Sequence, residues 1–504
     1  MNRWRIVGLI VLALLAASLL VWWLKPAPTP VTPVQPPARE VFHSSKPLGV
    51  EVVASQPPAE TAWLNYELRH LLIGGRMRVA AVDDAAGTFT LRVTLNADAN
   101  EATLALVAPD GVVERQEQVQ LPTDSRLATI GALAQRLPQF LGAQPAGSPN
   151  WVGLLGTDDA KAYDAYLADA LDLLGPNSQG LTLPAVPQTT HAVERLESLA
   201  RHQPHFTRAR AALALGYLSL GGQDQASLAQ LAKTSAERAL AADEGIAEAH
   251  AALGLVHLRS GDWTAAREQF DRALALDANS AAALEGSGCL LADAGRYAAA
   301  RPLLEHAVRL QPRNVGALEC RAYLDAGQVK VKPEPEHSDK PPGAVARVEA
   351  LASILGGDVE SAQRALRDSS SDEDFREWAE PLLQAVTDRA RVPDALQSIT
   401  RAASEKRIDP ATEILCGVAL RRAEFVFNRM ARLQREHEPV PLRMLWLPQT
   451  AFLRHHARFE QIVGTAGLPS FWQEYGTPDT CIAEPKTYGC KTRTTGAQAQ
   501  AREP

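Results

Sequence analysis

The residues best placed for covalent chemistry in this 504-residue sequence are two cysteines near its carboxyl end, Cys481 and Cys490. In an oxidising compartment, two cysteines this close in the chain can close a small loop and stabilise the chain end by ~2–3 kcal/mol. The alternative is a zinc site, but no histidine or second cysteine pair stands nearby at metal-ligand spacing. We therefore predict a disulfide between Cys481 and Cys490.

The other cysteines and the one adjacent histidine pair predict no further site. Cys289 and Cys320 fall on the first helices of two successive repeats, at positions that point to different faces, so a disulfide between them is doubtful and is left open. Cys416 lies in an apolar helical stretch and is expected in the core. His455 and His456 are neighbours on a helix, about 100° apart, and cannot chelate one metal ion together.

Motifs typical of enzymes and of ion sites are missing. Gly74 and Gly75 precede Arg76, without the Gly-Lys-Ser/Thr ending of a phosphate-binding loop. The acidic run at 369–374 lacks the glycine and distal glutamate of a calcium loop. No metalloprotease or nucleophile-elbow motif is present. We therefore predict no catalytic, cofactor-binding or metal-ligating residues, no cofactor, and no enzymatic activity.

Composition indicates a mainly helical protein. The net charge of −7 and the pI near 6.0 argue against a nucleic-acid-binding protein, which usually carries a basic balance. Aromatic residues make up only 6% of the chain, while alanine and leucine are abundant. Such a bias favours closely packed helices over a β sandwich.

The amino-terminal stretch predicts a membrane anchor. Residues 6–24 are uncharged and mostly apolar, and as a helix they would span roughly 30 Å, the thickness of a bilayer core. Arg3 and Arg5 precede the stretch and Lys25 follows it, so the amino terminus is expected in the cytoplasm. A cleaved signal peptide is the alternative, although its apolar core is shorter. We predict one uncleaved span, with residues 1–25 as cytoplasmic tip and anchor and residues 26–45 as a proline-rich linker.

Residues 46–145 change to a mixed pattern. An apolar helical stretch over 61–73 follows a short β-prone run, and further β-prone runs alternate apolar and polar residues. A second helix is predicted up to about residue 141. The order is strand, helix, four strands and helix, a small α+β domain. The predicted strands are 48–54, 77–82, 88–96, 101–108 and 112–120.

A 34-residue period follows within a helical region at 157–328. Small residues recur where two helices of one unit must approach closely, a bulky residue fills the gap to the next helix, and a proline follows the second helix. These packing positions are Gly254, Ala266, Phe270, Ala273, Gly288, Ala300, Leu304, Ala307 and Pro312.

The pattern weakens toward the carboxyl end. Residues 329–343 form a linker loop rich in proline and charge, and residues 344–440 are expected to be degenerate helical repeats. An aromatic-rich segment with the cysteine pair, 441–492, is interpreted as a cap over the last helix pair. Residues 493–504 are expected to be a disordered tail.

These patterns resemble known families. The 34-residue period and its packing residues resemble the tetratricopeptide repeat (TPR), which implies an α-solenoid of helical hairpins that binds proteins. The element order of 46–145 resembles the TolB-amino-terminal-like domain. With the aromatic closing segment, the whole is similar to the extracytoplasmic region of CadC-type membrane regulators. Only residues 1–5 precede the predicted span, so their DNA-binding domain is not expected here.

The resemblance to tetratricopeptide arrays implies a concave groove on the first helices of the hairpins. It would carry Tyr217, Leu255, Arg259, Glu285 and Asp293, an apolar stripe with mixed charges. Clustered lysines and asparagines that hold a peptide carboxylate are missing, so an extended or helical segment of a protein is the expected ligand. The alternative, equally open, is that these residues pack on a neighbouring part of the chain.

The function predicted from the sequence is that of an interaction scaffold or adaptor for other proteins. It would be a single-pass protein of a bacterial inner membrane, with its bulk in the periplasm. An extracytoplasmic sensor related to one-component membrane regulators is the alternative, and an enzyme is the third reading. Partner and oligomeric state are not specified by the sequence.

Overall fold

A small sheet begins the part of the chain that the computed structural model describes. The described residues are 47–54, 58–80, 88–142, 153–175, 178, 187–220, 225–326, 343–436 and 438–490. They belong to one compact unit, His43–Pro504. The predicted anchor (1–25), proline-rich linker (26–45) and tail (493–504), and nearly all of the linker loop at 329–343, lie outside the described residues.

The sheet has four strands in the order β1-β2-β3-β4, which is also their order in the chain. β1 runs parallel to β2, and helix α1 connects them, while the other neighbours are antiparallel. Helix α2 follows β4, and Ser125 caps its amino-terminal end. The Ser125 hydroxyl accepts a hydrogen bond from the Ala128 amide at 3.1 Å. The element bounds are β1 Leu48–Val53, α1 Pro58–Gly74, β2 Phe89–Leu95, β3 Glu101–Val107, β4 Val113–Gln120 and α2 Arg126–Phe140.

Alternating residues supply the core of this region. Phe89, Leu91 and Val93 of β2 are buried, as expected for a strand with one covered face. Ile130 and Leu133 of α2 are fully buried and recur at helical spacing. The apolar periodicity of the sequence thus builds a sheet with helices packed on it.

Of the strand predicted at 77–82, residues 77–80 form no strand, and the rest lies outside the described residues. Within the described residues of this run, Val79 makes a single parallel bridge to Leu48, and the Leu48 and Ala80 amides complete two backbone hydrogen bonds there. Within β1, only the first residue, Leu48, forms backbone hydrogen bonds with residues 78–80. These described residues therefore do not continue as a further strand of the sheet. The result is a four-stranded sheet instead of a five-stranded one.

Helical hairpins follow the sheet. Three of them are regular, namely α5 with α6, α7 with α8, and α9 with α10, and α12 and α13 form another. The bounds are α3 Ala160–Leu174, α4 Pro187–His202, α5 Thr207–Ser219, α6 Gln225–Ala242, α7 Ala247–Arg259, α8 Trp263–Leu276, α9 Ala281–Asp293, α10 Tyr297–Leu310, α11 Val315–Ala326, α12 Gly343–Gly356 and α13 Val359–Ser369.

The remaining helices are shorter and less regular. A turn at Asp372–Asp374 and a π-helical stretch at Phe375–Ala379 lead directly into α14. Four 3-10 turns, at Arg389–Arg391, Arg443–Trp446, Pro448–Thr450 and Asp479–Ile482, interrupt this part. The other bounds are α14 Glu380–Thr387, α15 Val392–Ser404, α16 Pro410–Ala419, α17 Ala423–Arg435, α18 Ala451–Arg454, α19 Phe459–Thr465 and α20 Leu468–Tyr475.

None of the helices in the described ranges combines the length and the apolar character that crossing a bilayer requires. The span predicted at 6–24 is outside those ranges.

Candidate interaction site of the helical repeats

The hairpins of the array pack through their small residues. A Cβ on Gly254 would lie 2.5 Å from Cε1 of Phe270, and one on Gly288 would lie 2.7 Å from Cδ2 of Leu304. Both glycines therefore allow the two helices of a hairpin to approach closely. The other predicted packing positions at 266, 273, 300 and 307 are fully buried alanines, and Pro312 is exposed just beyond the end of α10.

The five residues predicted to line a peptide groove are in contacts within the chain. Leu255 is 6% exposed. The Tyr217 hydroxyl donates to Glu197 at 2.8 Å, and Arg259 donates to Gln225 and to the Leu218 carbonyl. Asn314 donates to the Glu285 carboxylate at 2.9 Å, and Arg443 pairs with Asp293 at 2.8 Å. All five side chains therefore contact neighbouring parts of the chain, and the peptide groove stays a prediction.

Helix α1 of the α+β region packs against the repeats through a buried ion pair. Arg208 of α5 donates to both oxygens of Glu67, at 2.8 and 2.6 Å. The side chains of Glu67 and Arg208 are 0% and 7% exposed. The Tyr163 hydroxyl of α3 donates to the same carboxylate. The bidentate geometry and the third donor satisfy charges that would be costly to bury alone.

Burial and charge act in opposite directions on this ion pair. Burial alone would raise the pKa of Glu67, but the Arg208 guanidinium overrides it and holds that pKa below the usual range. Burial would lower the pKa of Arg208, yet the Glu67 carboxylate raises it well above the ordinary value. Burial, with the Glu67 charge, raises the pKa of Tyr163. The pair is therefore charged across the physiological range, and Tyr163 stays protonated.

A second set of polar contacts surrounds the first. Arg69 donates to both oxygens of Asp277, at 2.6 and 2.7 Å. His70 lies 2.9 Å from Glu248 at the start of α7. Burial would raise the pKa of Glu248, but His70 and further contacts lower it to about 2. One face of α1 thus contacts α5, α7 and the end of α8.

A cavity of about 430 Å³ lies at this junction. Its wall combines α1 and β1 with the end of α3 and the starts of α7 and α9. Arg69, His70, Glu248 and Asp277 line it, all held in the ion pairs described above. The cavity therefore lies where the α+β region meets the array, next to groups of both charges.

The aromatic carboxyl-terminal segment docks on the turns of the central hairpins. Arg443 forms an ion pair with Asp293 at 2.8 Å, and its backbone amide donates to the same carboxylate. The Trp446 indole donates to the Asp293 carbonyl at 2.8 Å, and the Trp472 indole donates to the Ala294 carbonyl at 2.9 Å. These contacts join residues more than a hundred positions apart.

The interpretation of this segment as a cap over the last helix pair is therefore incomplete. It does contact α17, where the Gln434 amide donates to the Ile462 carbonyl and the His456 ring stacks on Phe427. It also covers Gly295, whose φ of +78° and lack of a side chain admit the Trp446 ring. The tryptophans need hydrogen-bond acceptors when they are buried, and the carbonyls of Asp293 and Ala294, at the turn between α9 and α10, supply them. The segment consequently ties the last helices to the middle of the array.

Two cysteine pairs stand at disulfide distance. Cys481 and Cys490 have Cα atoms 5.3 Å apart, and Cys289 and Cys320 have Cα atoms 5.6 Å apart. The sequence left the pairing of Cys289 and Cys320 doubtful, and the structure brings them together. Cys289 lies on α9, the first helix of one hairpin, and Cys320 lies on α11, which follows that hairpin. These two helices contact each other through different faces, so the two residues that join them occupy different positions in the repeat. Cys416 is buried and unpaired, and burial raises the pKa of its thiol.

Sequence reasoning missed the charged face of α1. The signal was present as the polar residues Glu67, Arg69 and His70, which interrupt an otherwise apolar helix. A buried charge inside an apolar stripe needs a partner from elsewhere, and Arg208, on a helix classed only as a repeat element, is that partner. Across the described part of the chain, no cluster of three or more histidines, cysteines or carboxylates could hold a metal ion.

Comparison with known proteins gives one family match and distant structural likenesses. Residues 247–280, which contain α7 and α8, match the tetratricopeptide repeat family. No curated protein matches the sequence. A solved chain described as "Functional Characterization of Pseudomonas Aeruginosa pilF" is 21% identical, over 47% of this chain and 94% of its own, with a TM-score of 0.24. The chain therefore contains a tetratricopeptide repeat within a longer helical array.

Proposed function

We propose that this protein is a membrane-anchored, extracytoplasmic scaffold that binds other proteins through its helical array. The observation that carries the proposal is the tetratricopeptide repeat at 247–280, set in hairpins that pack through glycine and alanine. Stacked hairpins of this kind create extended surfaces that serve protein recognition. No catalytic step is part of the proposal.

The cysteines support an extracytoplasmic location. Four of the five are paired at disulfide distance, and such pairs persist in oxidising compartments. The charge distribution around residues 6–24, with arginines before the stretch, supports an anchor with the amino terminus in the cytoplasm. The resemblance to the extracytoplasmic region of CadC-type regulators agrees with this placement and is part of the proposal.

The location is tested by protease access. Intact spheroplasts are treated with protease, and the chain is followed by an antibody to its carboxyl-terminal part. We expect digestion to leave only a short, membrane-associated amino-terminal fragment. A chain that stays intact in sealed spheroplasts but is cut after lysis would contradict the proposal.

The scaffold role is tested by crosslinking in the living cell, followed by affinity capture from the envelope fraction. The proposal expects the same partner proteins in independent repeats. The matched control is an untagged chain treated in the same way. Failure to recover any reproducible partner would refute the scaffold role.

A sensor is the second candidate function, and the cavity between the α+β region and the array favours it. A ligand there would contact α1 on one side and α7 and α9 on the other, so it could change how the two regions pack. The test replaces residues 1–25 by an unrelated membrane anchor. A sensor that signals through the membrane would lose its phenotype, whereas a scaffold would keep it.

A further inference from the structure

Strand β4 lies at one edge of the sheet formed by the described residues. The opposite edge, β1, is partly covered, because the Leu48 backbone exchanges hydrogen bonds with residues 78–80. On the side of β4 away from β3, none of the described residues pairs with the strand. Residues 113–116 are all exposed, and of the whole strand only Val119 is buried. One edge of this eight-residue strand is thus open.

The hydrogen-bond pattern fixes which backbone groups point outward. The Leu121 amide donates to the Asn100 carbonyl at 2.8 Å, at the end of the β3–β4 ladder. Bonding residues alternate along an antiparallel strand, so the odd-numbered residues of β4 bond to β3. The amides and carbonyls of Gln116 and Gln118 therefore point to the open side, while a register shift opposite Leu106 and Val107 interrupts the alternation at Glu114.

The charges of β4 become complementary when the strand pairs with itself. An antiparallel, two-fold pairing centred on Gln116 sets Arg115 opposite Glu117 of the partner subunit, twice, and Glu114 opposite Gln118 of the partner subunit. Gln116 then forms a hydrogen-bonded pair, as its outward amide requires. Arg115 and Glu117 fall at non-hydrogen-bonded positions, where facing side chains lie closest.

The neighbouring two-fold registers are unfavourable. Centring the pair on residue 115 sets two arginines opposite each other, and centring it on residue 117 sets two glutamates opposite each other. Helix α2 holds the charged side chains in position, because Arg136 pairs with Glu117 and Arg115 donates to the Phe140 carbonyl. Charged edges usually prevent pairing, whereas here the order of charges favours the register centred on Gln116 over both of its neighbours.

We propose that β4 is a homodimerisation edge, which joins two copies of this chain into one continuous eight-stranded sheet through antiparallel pairing centred on Gln116. The partner strand is β4 of a second copy of the chain. In this register Arg115 faces an opposite charge on the partner strand, and the outward backbone groups of Gln116 form a hydrogen-bonded pair. Isologous contacts of this kind close with two-fold symmetry and do not propagate into fibres.

Cysteine crosslinking of the full chain tests the register. In Gln116→Cys the two Cα atoms would lie about 5.5 Å apart, within the range that a disulfide bridges. In the control, Gln118→Cys, the new cysteines would be separated by about 13 Å along the strands. The natural cysteines do not interfere, because four are paired and Cys416 is buried. We expect a covalent dimer from Gln116→Cys only.

Charge exchange tests the pairing without a crosslink. Arg115→Glu and Glu117→Arg each place like charges opposite each other twice, and we expect dimerisation to weaken about tenfold or more. A mixture of the two variants restores opposite charges at both contacts and should recover the dimer. Sedimentation velocity of the full chain in detergent measures all three, with circular dichroism to verify the fold.

Three results would overturn the proposal. The first is a wild-type chain that is monomeric at every concentration. The second is crosslinking of Gln118→Cys as efficient as that of Gln116→Cys. The third is a mixture of the folded charge variants that dimerises no better than each alone. If a charge variant does not fold, the crosslinking comparison still decides the register.

Discussion

Replacing Arg208 by methionine removes the positive charge that faces Glu67 and keeps a long side chain in its place. Both partners are buried, so the substitution leaves a carboxylate without its counter-ion inside the protein. Removal of one partner of a buried ion pair costs about 3–5 kcal/mol. Because the Tyr163 hydroxyl still donates to Glu67, we expect the lower end of this range, about 3 kcal/mol.

The loss should depend on pH in a defined direction. In the wild type the pKa of Glu67 lies below its ordinary value of 4.5, so its stabilisation is complete above that pH and is lost as pH falls through the folded-state pKa. Without Arg208, burial dominates and raises the pKa above 4.5, so the penalty is absent in acid and grows as pH rises through the raised value. The difference in unfolding free energy between wild type and Arg208→Met is therefore largest at neutral pH and smallest in acid.

Urea unfolding followed by circular dichroism measures this difference at neutral and acidic pH. The matched control is Arg201→Met, because Arg201 is exposed and donates only to the backbone of its own helix. We expect the control to change stability by less than about 0.5 kcal/mol. An Arg208→Met variant that loses less than about 1 kcal/mol, or loses the same amount at both pH values, would show that Arg208 does not stabilise a buried Glu67 carboxylate.

Further substitutions and labelling test other parts of the account. Gly254→Ala places a methyl group against the phenylalanine ring of the same hairpin and should lower the free energy of unfolding in urea by about 1–3 kcal/mol. The control, Gly356→Ala, has open space around it and should change stability little. Equal effects of the two substitutions would contradict the close approach of the helices. Asp293→Asn weakens the ion pair with Arg443, so hydrogen exchange should speed up in the docked carboxyl-terminal segment; unchanged exchange there would show that this ion pair does not hold the segment. Thiol labelling of the unreduced, denatured chain should modify Cys416 alone; labelling of any other cysteine would contradict the two pairs.

The repeat hairpins could be predicted from the sequence because their packing is local. Gly254 and Phe270 lie in one hairpin, and their types and spacing already describe the close approach of two helices. The structure places both where that packing requires, with Phe270 fully buried. Local periodicity decides such contacts, since neighbouring helices in a hairpin have few ways to meet.

Contacts between distant parts of the chain could not be predicted in this way. Nothing in the sequence indicates that Glu67 meets Arg208, because the two residues belong to patterns of different period. The pairing of Cys289 with Cys320 shows the same limit on a smaller scale. Helical offsets define the face of each residue on its own helix, but the contact depends on which faces of two helices meet.

The sequence identifies the aromatic segment as a closing element, but it does not indicate where the segment docks. The size and apolar character of Trp446 and Trp472 predict that both side chains are buried. Each buried indole N–H must also find a hydrogen-bond acceptor. The acceptors are turn carbonyls at Asp293 and Ala294, which leave no signature in the sequence. Only the folded structure shows that the segment returns to the middle of the array.

The proposed scaffold role requires that the helical array bind another protein. In-cell photocrosslinking tests it most directly, with a benzoylphenylalanine at Leu231 or Arg272, both exposed on array helices, and a control probe at Asp98 in a loop of the sheet. We predict an adduct of one reproducible mass from at least one array position and none from Asp98. A folded, normally expressed chain that gives no adduct from either array position would contradict the account.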